Sequence, residues 1–260
     1  MQLLQILISG VAQGCIYGLI ALGFVLIYKA TETVNFAQGE LMMLGAFAGL
    51  GVYAGLGWSL LAACAIAVGV MAIAGFAIER AVLRPILGQP AFAIVLVTIG
   101  LGYVMRGAVT MLPNVGTETF ALDVPYRFAT VNAGKLVISV PQVIVIGVTA
   151  VLCAALYALF RFTKIGVAMQ AASQNQLAAY YMGIPVKRLN GIVWALSAAV
   201  AAVAGLLLAP ITFVHVNMGF IGLKAFPAAV VGGFGSLPGA IVGGLVIGIV
   251  EALAGFDIHE

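Results

Sequence analysis

Residues 161–189 read RFTKIGVAMQAASQNQLAAYYMGIPVKRL, the longest polar interruption in an otherwise apolar chain. Basic residues flank it on both sides without an acidic residue between them, and its alanines, glutamines and methionines favour helix. Ser173 and Gln176 form a capping-box pattern, which predicts a short helix that starts near Gln174. Gly183, followed by isoleucine and proline, predicts the end of that helix. The stretch is therefore typical of a folded, helical loop that joins two membrane spans at the cytoplasmic surface.

The composition places almost the whole chain in a membrane. Of its 260 residues, 64% are hydrophobic and 7% are charged, and the mean hydropathy is +1.21. Soluble domains carry about 25% charged residues, so most of this surface must face lipid or other membrane helices. Because a span takes about 20 residues, we predict one all-α domain over 1–260, a polytopic transmembrane helix bundle of about seven to eight spans. No room is left for a sizeable soluble catalytic or nucleotide-binding domain.

Seven apolar segments are long enough to form the spans of this bundle. A further apolar piece, Ala225–Val231, is too short to cross a membrane alone. The predicted spans are Leu4–Tyr28, Leu41–Gly57, Trp58–Ile78, Ala91–Leu112, Leu136–Phe160, Asn190–Ala209 and Gly239–Leu253.

Basic residues near the span ends orient the bundle, because cytoplasmic loops are enriched in lysine and arginine. Arg80 and Arg84 mark one cytoplasmic loop, and the basic residues that flank 161–189 mark another. Two spans separate these loops, so both can lie on the same side. The segment 113–140 then forms an external loop, in agreement with its balanced charges and its turn-forming prolines and glycines. The N-terminus is predicted to be external as well.

The first of two breaks in the apolar pattern at membrane depth is Thr31–Glu40. Asn35 and Gln38 form a second capping-box pattern there, which predicts a helix that begins at Phe36. The free N–H groups and the positive dipole end of this helix would lie at Asn35. A purely structural cap is the alternative interpretation of the two amides.

The second break is Lys224–Gly239, in which Ser236 is the predicted N-cap of the last helix and Pro238 lies in its first turn. Two apolar segments interrupted by glycine or proline, one in each half of a chain, are typical of broken or re-entrant helices that line a transport path. Non-helical backbone is tolerated at that depth only where protein shields it or water reaches it.

Charged residues at membrane depth support the same interpretation. A charged side chain at the bilayer centre costs about 2.5–3.5 kcal/mol on insertion scales, so Glu40, Lys224 and Glu251 are candidates for the path. The alternative is that they lie at the membrane surfaces and extend their charged ends into water. The predicted path-lining residues are Asn35, Gln38, Gly39, Glu40, Lys224, Gly233 and Gly235.

Glycines recur at the small-xxx-small spacing that allows close helix packing in lipid. Packing within the chain is the favoured interpretation, and an interface with a second membrane subunit is the alternative. The pairs and triplets are Gly14/Gly18, Gly45/Gly49, Gly51/Gly55, Gly235/Gly239/Gly243 and Gly244/Gly248.

The residues carry no pattern of catalysis or metal binding. His215 and His259 are isolated, and the three cysteines lack the spacing of metal ligands. The GGFGSLPG run lacks the lysine that a phosphate-binding loop needs. We therefore predict a protein that is not an enzyme and that has no cofactor, no metal and no nucleic-acid partner.

Several sequence motifs follow one another in a recognisable order between Gly10 and Gly255. The sharpest are Gly14–Tyr28, Val34–Phe47, Ile78–Pro85, the opening loop and Gly222–Leu253. Together they resemble the first of the two permease proteins of branched-chain amino-acid ABC importers. It implies a multi-pass permease of the bacterial inner membrane. It also implies four partners: two ATPase subunits, which would hydrolyse ATP, a second homologous permease and an extracytoplasmic substrate-binding protein.

The resemblance gives the loop 161–189 the role of a coupling segment that docks into a groove of the ATPase. The positions that fall on the coupling pattern are Gly166, Gln170, Ala171, Ala178, Gly183 and Ile184. The chain departs from the usual family pattern at three points. Gln170 lies where the family usually has arginine, so a charge and a planar hydrogen-bond donor are lost. Gln38 lies where histidine is common, and related permeases continue past Glu260 into a further span.

The transported substrate is the least determined feature. The resemblance implies leucine, isoleucine and valine, while similar permeases carry urea, short amides, other amino acids and small carboxylates. A stand-alone channel or an ion-coupled carrier is the alternative from another class, although neither needs a docking loop. A structural membrane scaffold is a third possibility, but it predicts no breaks at membrane depth.

Overall fold

The computed structural model describes residues 2–113, 115–116, 118–133 and 136–257, which form ten α-helices and one β-hairpin. His259, Glu260 and positions 114, 117, 134 and 135 of the predicted external loop lie outside the described residues. The elements are α1 (Gln2–Thr31), α2 (Gln38–Leu50), α3 (Leu60–Ile78), α4 (Ala91–Thr110), β1 (Thr130–Ala133), β2 (Leu136–Ser139), α5 (Val140–Phe162), α6 (Lys164–Gln174), α7 (Gln176–Tyr181), α8 (Val186–Leu208), α9 (Ile221–Gly232) and α10 (Leu237–Asp257).

The predicted polytopic helix bundle is confirmed. Six helices of the described residues, α1, α3, α4, α5, α8 and α10, are long and apolar enough to cross a membrane. The remaining predicted span, Leu41–Gly57, is the 13-residue helix α2 followed by a single π turn at Gly51–Gly55. The short apolar piece Ala225–Val231 lies in the 12-residue helix α9. The bundle therefore combines six long helices with two apolar helices of about half that length.

Helices α1 and α8 form the centre of the bundle. Leu19, Ile20 and Phe24 of α1 and Trp194 of α8 are among the largest fully buried side chains. The peripheral helices instead turn large apolar side chains outward, as Leu61 of α3 does with 83% of its surface exposed. Such apolar outer faces are stable against lipid tails or other membrane helices and costly in water.

The two predicted cytoplasmic loops lie at the same end of the bundle. Arg84 pairs with the buried carboxylate of Glu79, with a shortest N–O distance of 2.7 Å, and also donates to the Lys187 carbonyl at 3.0 Å. Lys29 and Arg161 line one cavity at this end. We call this end of the bundle the basic end. Sequence reasoning did not identify the Glu79–Arg84 pair, which ties the end of α3 to the start of α8.

The segment 113–140 lies at the opposite end, as predicted, and contains the β-hairpin. β1 and β2 pair antiparallel, with Thr130 opposite Ser139. Phe120 pairs with Val214 across an isolated bridge, and Arg127 forms an ion pair of 2.7 Å with Asp123. The predicted span Leu136–Phe160 therefore begins later, because its first four residues belong to β2.

The predicted glycine packing occurs mainly between α1 and α10. A Cβ at Gly14 would lie 2.7 Å from Leu245 Cα and 2.8 Å from the Gly244 carbonyl oxygen. A Cβ at Gly244 would overlap the backbone of Gly18 in return. Such close backbone approach supplies packing energy in lipid, where no hydrophobic drive acts between helices.

Other glycines follow the prediction only in part. Gly45 packs on Ala202 of α8, and Gly239 and Gly243 pack on the backbone of α9. For Gly51, Gly55 and Gly235, however, a Cβ would meet no atom within 4 Å. Packing within the chain is therefore the wrong interpretation for these three residues, because they face outward.

We predict that Gly244→Ala destabilises the chain by about 1–3 kcal/mol, the usual cost of overpacking, because the added methyl overlaps the backbone of Gly18. Unfolding in detergent measures the change. Gly147→Ala on α5 is the matched control, because nothing lies within 4 Å of its Cβ position. Equal stability of both variants would contradict the α1–α10 contact.

Candidate functional site

The first predicted break places the start of α2 inside the bundle. Gln38, the first residue of α2, contacts Ser197 in the middle of α8, and its side chain lies against Gly23 of α1. Residues 32–37 form no helix and connect the end of α1 to this point. α2 therefore begins beside the middle of α8 and about two turns from the end of α1, which is membrane depth.

The start of α9 lies against the start of α2. A Cβ at Gly39 would overlap the Gly219 carbonyl oxygen, and one at Gly222 would overlap the Gly39 backbone. Gly219 belongs to a short 3-10 turn, Val216–Phe220, directly before α9. Two half-length helices thus meet with their N-terminal ends at one place, which we call the half-helix junction.

The second predicted break, Lys224–Gly239, is confirmed only at residues 233–236, where the chain leaves the helix, and these residues lie at one end of the bundle instead of at membrane depth. Lys224–Gly232 is helical, and the segment that reaches the junction is the short 3-10 turn Val216–Phe220, which precedes α9. Gly233 and Gly235 lie in the turn between α9 and α10 at the basic end, where Tyr28 packs on Phe234. Gly233 has a φ of +80°, which only glycine adopts readily, so α9 ends there. The N-cap Ser236 is confirmed, since its hydroxyl oxygen accepts from the Gly239 N–H at 3.0 Å.

The amides of Asn35 and Gln38 form a closed hydrogen-bond network at the junction. Asn35 Oδ1 accepts from the Ala37 N–H at 3.0 Å, and the Ser197 hydroxyl lies 3.0 Å from both Gln38 Oε1 and the Gly23 carbonyl oxygen. Asn35 and Gln38 are both fully buried. The helix begins at Gln38 and not at Phe36, because the Asn35 side chain holds the chain in a turn first. In this structure the two amides face no open passage.

Glu40 forms a buried ion pair with Arg106 of α4, a residue that sequence reasoning missed. The guanidinium donates to Glu40 Oε1 and lies 3.9 Å from the centre of the Phe220 ring. Glu40 also lies beside the Gly219 backbone. A signal was available, because an arginine inside an apolar span needs an acidic partner at similar depth. The pair joins α2, α4 and the turn before α9.

Lys224 and Glu251 form one polar cluster with two residues of α1. Lys224 Nζ lies 2.9 Å from Glu251 Oε1, the Tyr17 hydroxyl donates to Glu251 Oε2, and Gln13 Nε2 donates to the Tyr17 oxygen at 2.8 Å. The Lys224 side chain is 63% exposed and that of Glu251 is 37% exposed. Charges exposed on the side of a membrane bundle are costly in lipid, so protein or water covers this face in a membrane.

The loop 161–189 contains two helices, α6 and α7. The Ser173/Gln176 capping box is wrong, because Ser173 lies inside α6 and its hydroxyl donates to the Gln170 carbonyl. Asn175 caps α7 instead and accepts from the Ala178 N–H at 2.9 Å. The predicted end is confirmed, since Gly183 has a φ of +83° directly after α7.

Two hydrogen bonds at this end form a Schellman motif. The Ile184 N–H donates to the Ala179 carbonyl, and the Gly183 N–H donates to the Tyr180 carbonyl, both at 3.0 Å. The chain therefore reverses sharply into Pro185 and α8. Gly183 is needed at this position because its backbone is left-handed.

The predicted coupling residues occupy different surfaces of the loop. Gly166 is buried against the last turn of α5, and Gln170 Nε2 donates to the Phe160 carbonyl at 3.3 Å. Ala171 and Ile184 line a surface depression of about 380 Å³ beside α6. Ala178 and Gly183 are exposed.

Four large side chains of α7 and its end, which sequence reasoning did not single out, are also exposed. They are Leu177 at 63%, Tyr180 at 64%, Tyr181 at 77% and Met182 at 83% of their surface. We call them the α7 patch.

Paired half-helices between long apolar spans are typical of membrane transport proteins, which is the class that the fold and the junction indicate. The sequence profile of the family described as branched-chain amino acid transport system / permease component matches residues 6–258, and the chain belongs to this family.

Curated relatives with similar sequences carry names of the same kind. The chain is 34% identical over 266 residues to the high-affinity branched-chain amino acid transport system permease protein LivH of Escherichia coli K12, covering 96% of this chain and 85% of LivH. It is 32% identical over 267 residues to BraD of Pseudomonas aeruginosa, covering 98% and 87%. It is 30% identical over 243 residues to the probable LivH of Methanocaldococcus jannaschii, covering 90% and 76%. No solved structure matches the chain.

We predict that Glu40 and Arg106 are strongly coupled in stability. Glu40→Gln or Arg106→Gln alone leaves one buried charge unpaired and should destabilise the chain by about 3–5 kcal/mol, whereas the double variant should lose much less than the sum. Unfolding in detergent gives the three values.

Asp123→Asn is the control for this cycle, because Asp123 also pairs with an arginine but its side chain is 80% exposed. It should cost no more than about 1 kcal/mol. Additive effects of the Glu40 and Arg106 substitutions would show that the buried pair does not form.

Proposed function

We propose that the chain is the permease subunit of an ATP-driven importer in the bacterial inner membrane and forms one half of its translocation path. Two separate ATPase subunits, a second homologous permease and an extracytoplasmic binding protein complete the importer. The family supports the permease role, and the observation that carries the coupling to ATPases is the geometry of the loop 161–189.

The loop is built to transmit displacement to the bundle. Only Thr163 separates α5 from α6, and its hydroxyl oxygen accepts from the Gly166 N–H at 3.1 Å and donates to the Leu159 carbonyl. Gln176 Nε2 donates to the Ala30 carbonyl at 2.7 Å, which ties α7 to the end of α1. A force on α6 and α7 therefore moves α5, α1 and α8 together.

The α7 patch is the proposed contact with the ATPase. Tyrosine and methionine are enriched in protein interfaces, and exposed apolar clusters at the end of a bundle mark interaction sites. Gln170 does not contribute a charge to this contact, and its amide binds the Phe160 carbonyl. Docking through Ala171, Ala178, Gly183 and Ile184 would thus depend on shape and apolar contact.

The half-helix junction is the proposed gate of the path. The N-terminal ends of α2 and α9 carry partial positive charge and face the junction, which favours an anionic group such as a carboxylate. Asn35, Gln38, Gly39 and Glu40 surround that place. Because they are packed together here, we assign this structure to a state in which the gate is closed.

The exposed cluster of Lys224 and Glu251 is the proposed wall of the path beside the second permease. The Lys224 ammonium group can release Glu251 and bind the carboxylate of a zwitterionic amino acid. The Glu251 carboxylate can then bind the ammonium group of the same amino acid. Gly233 and Gly235 lie at the basic end, in the turn between α9 and α10, and would border the exit to the cytoplasm.

Branched-chain amino acids are the proposed substrates, because the relatives named above are branched-chain amino acid permeases. The sequence does not discriminate among amino acids, urea, amides and small carboxylates as substrates. Transport assays of the complete importer with each class would decide the substrate.

We predict that Tyr181→Ala combined with Met182→Ala lowers substrate-stimulated ATPase activity of the complete importer at least tenfold, because interface anchors contribute about 1–2 kcal/mol or more each. The chain itself should remain folded. Phe128→Ala is the control, since Phe128 is 86% exposed at the opposite end. Unchanged ATPase activity and unchanged co-purification of the ATPases would contradict the docking role.

We also predict that Lys224→Met or Glu251→Gln lowers the transport rate at least tenfold while the unfolding temperature changes little. An ion pair this exposed contributes little to stability, so a loss of transport reports on the path. Arg80→Met, which removes an exposed charge from the basic end, should transport normally. Normal transport by both cluster variants would exclude the cluster from the path.

A further inference from the structure

A groove at the basic end meets the proposed transport path only at Gly235, and the rest of its wall has no role in that mechanism. It has a volume of about 780 Å³ and lies between α5 and α10, both of which pack on α1. Leu22 of α1, which is 2% exposed, forms its floor. Val242 of α10 and Tyr157 of α5 are more than half exposed on its sides, so the groove opens laterally toward the membrane.

The mouth of the groove is positively charged. Lys29 and Arg161 both line it, no acidic residue lies in its wall, and neither side chain forms an ion pair within the described residues. α10 begins at this mouth, directly after its N-cap Ser236, and adds the partial positive charge of a helix start. The Arg161 guanidinium lies 5.9 Å from the centre of the Tyr157 ring, which holds it on the groove side of α5.

The inner wall of the groove is apolar. Leu22 lies two turns from Lys29, and Cys153 lies just over two turns from Arg161, so the wall extends about 10–12 Å along the helices from the charged mouth. Its remaining side chains are mainly apolar, including Leu156, Ile241 and Val242. A charged mouth at the membrane surface above an apolar trough matches the two halves of a phospholipid.

We infer that this groove binds an anionic phospholipid of the cytoplasmic leaflet, with its phosphate between Lys29 and Arg161 and its acyl chains along α1, α5 and α10. Basic pockets between transmembrane helices on the cytoplasmic side are typical sites of anionic lipid headgroups. Two cations without an acid favour a lipid phosphate over an apolar helix of another subunit. Because Gln170 of α6 also lines the groove, a lipid bound there would contact α6 of the loop 161–189.

Native mass spectrometry of the purified transporter tests the inference, with phosphatidylglycerol and phosphatidylcholine of identical acyl chains as probes. Phosphatidylglycerol should bind more tightly than phosphatidylcholine. The double variant Lys29→Gln and Arg161→Gln should weaken phosphatidylglycerol binding roughly tenfold or more, because it removes both cations that would face the lipid phosphate. Lys187→Gln with Arg188→Gln is the control, because this basic pair lies outside the groove.

Equal binding of the two lipids, or equal losses in both double variants, would overturn the inference. A photo-crosslinking residue in place of Val242 provides a measurement that keeps the two cations intact. It should form adducts with phospholipid in native membranes. Adducts with the second permease instead would show that the groove is a subunit interface.

Discussion

The structure depends on the requirement that every backbone polar group at membrane depth finds a partner. Residues 32–37 leave the helical state inside the bundle, and this is possible because side chains take over the hydrogen bonds. Asn35 binds the Ala37 N–H, and Thr98 of α4 accepts from the Phe36 N–H at 3.2 Å. The neighbouring helix α9, which begins against Gly39, shields the same place. Without these partners α2 could not begin in the middle of the membrane.

The other contacts of the bundle follow from this arrangement. Glycines allow α2 and α9 to approach each other, and glycines between α1 and α10 bring Tyr17 beside Glu251. The buried pair of Glu40 and Arg106 holds the α2 start to α4. The exposed pair of Lys224 and Glu251 lies on the outer side of α9 and α10. The chain thus separates a buried junction, where Glu40 and Arg106 pair inside the bundle, from an exposed charged face on α9 and α10.

The sequence alone predicted those features that depend on residues close together in the chain. The apolar runs predicted the long helices, the charges predicted which loops share an end, and Gly183 and Ser236 predicted a helix end and a helix start. Partners distant in sequence could not be predicted in this way. Arg106 lies 66 positions from Glu40, and only the packing of α2 on α4 brings them together. Asn175 was missed as a cap because Ser173 and Gln176 offered a stronger local pattern, which the longer α6 overrides.

The accessibility of position 37 most directly tests whether the half-helix junction is the gate. Ala37 is fully buried, so a cysteine there, in a chain whose three native cysteines are replaced, should be unreactive toward a membrane-impermeant thiol reagent in the resting importer. We expect labelling to accelerate during ATP turnover with substrate, because the junction must open for transport. Labelling at the same rate in both states, or in neither, would contradict the account.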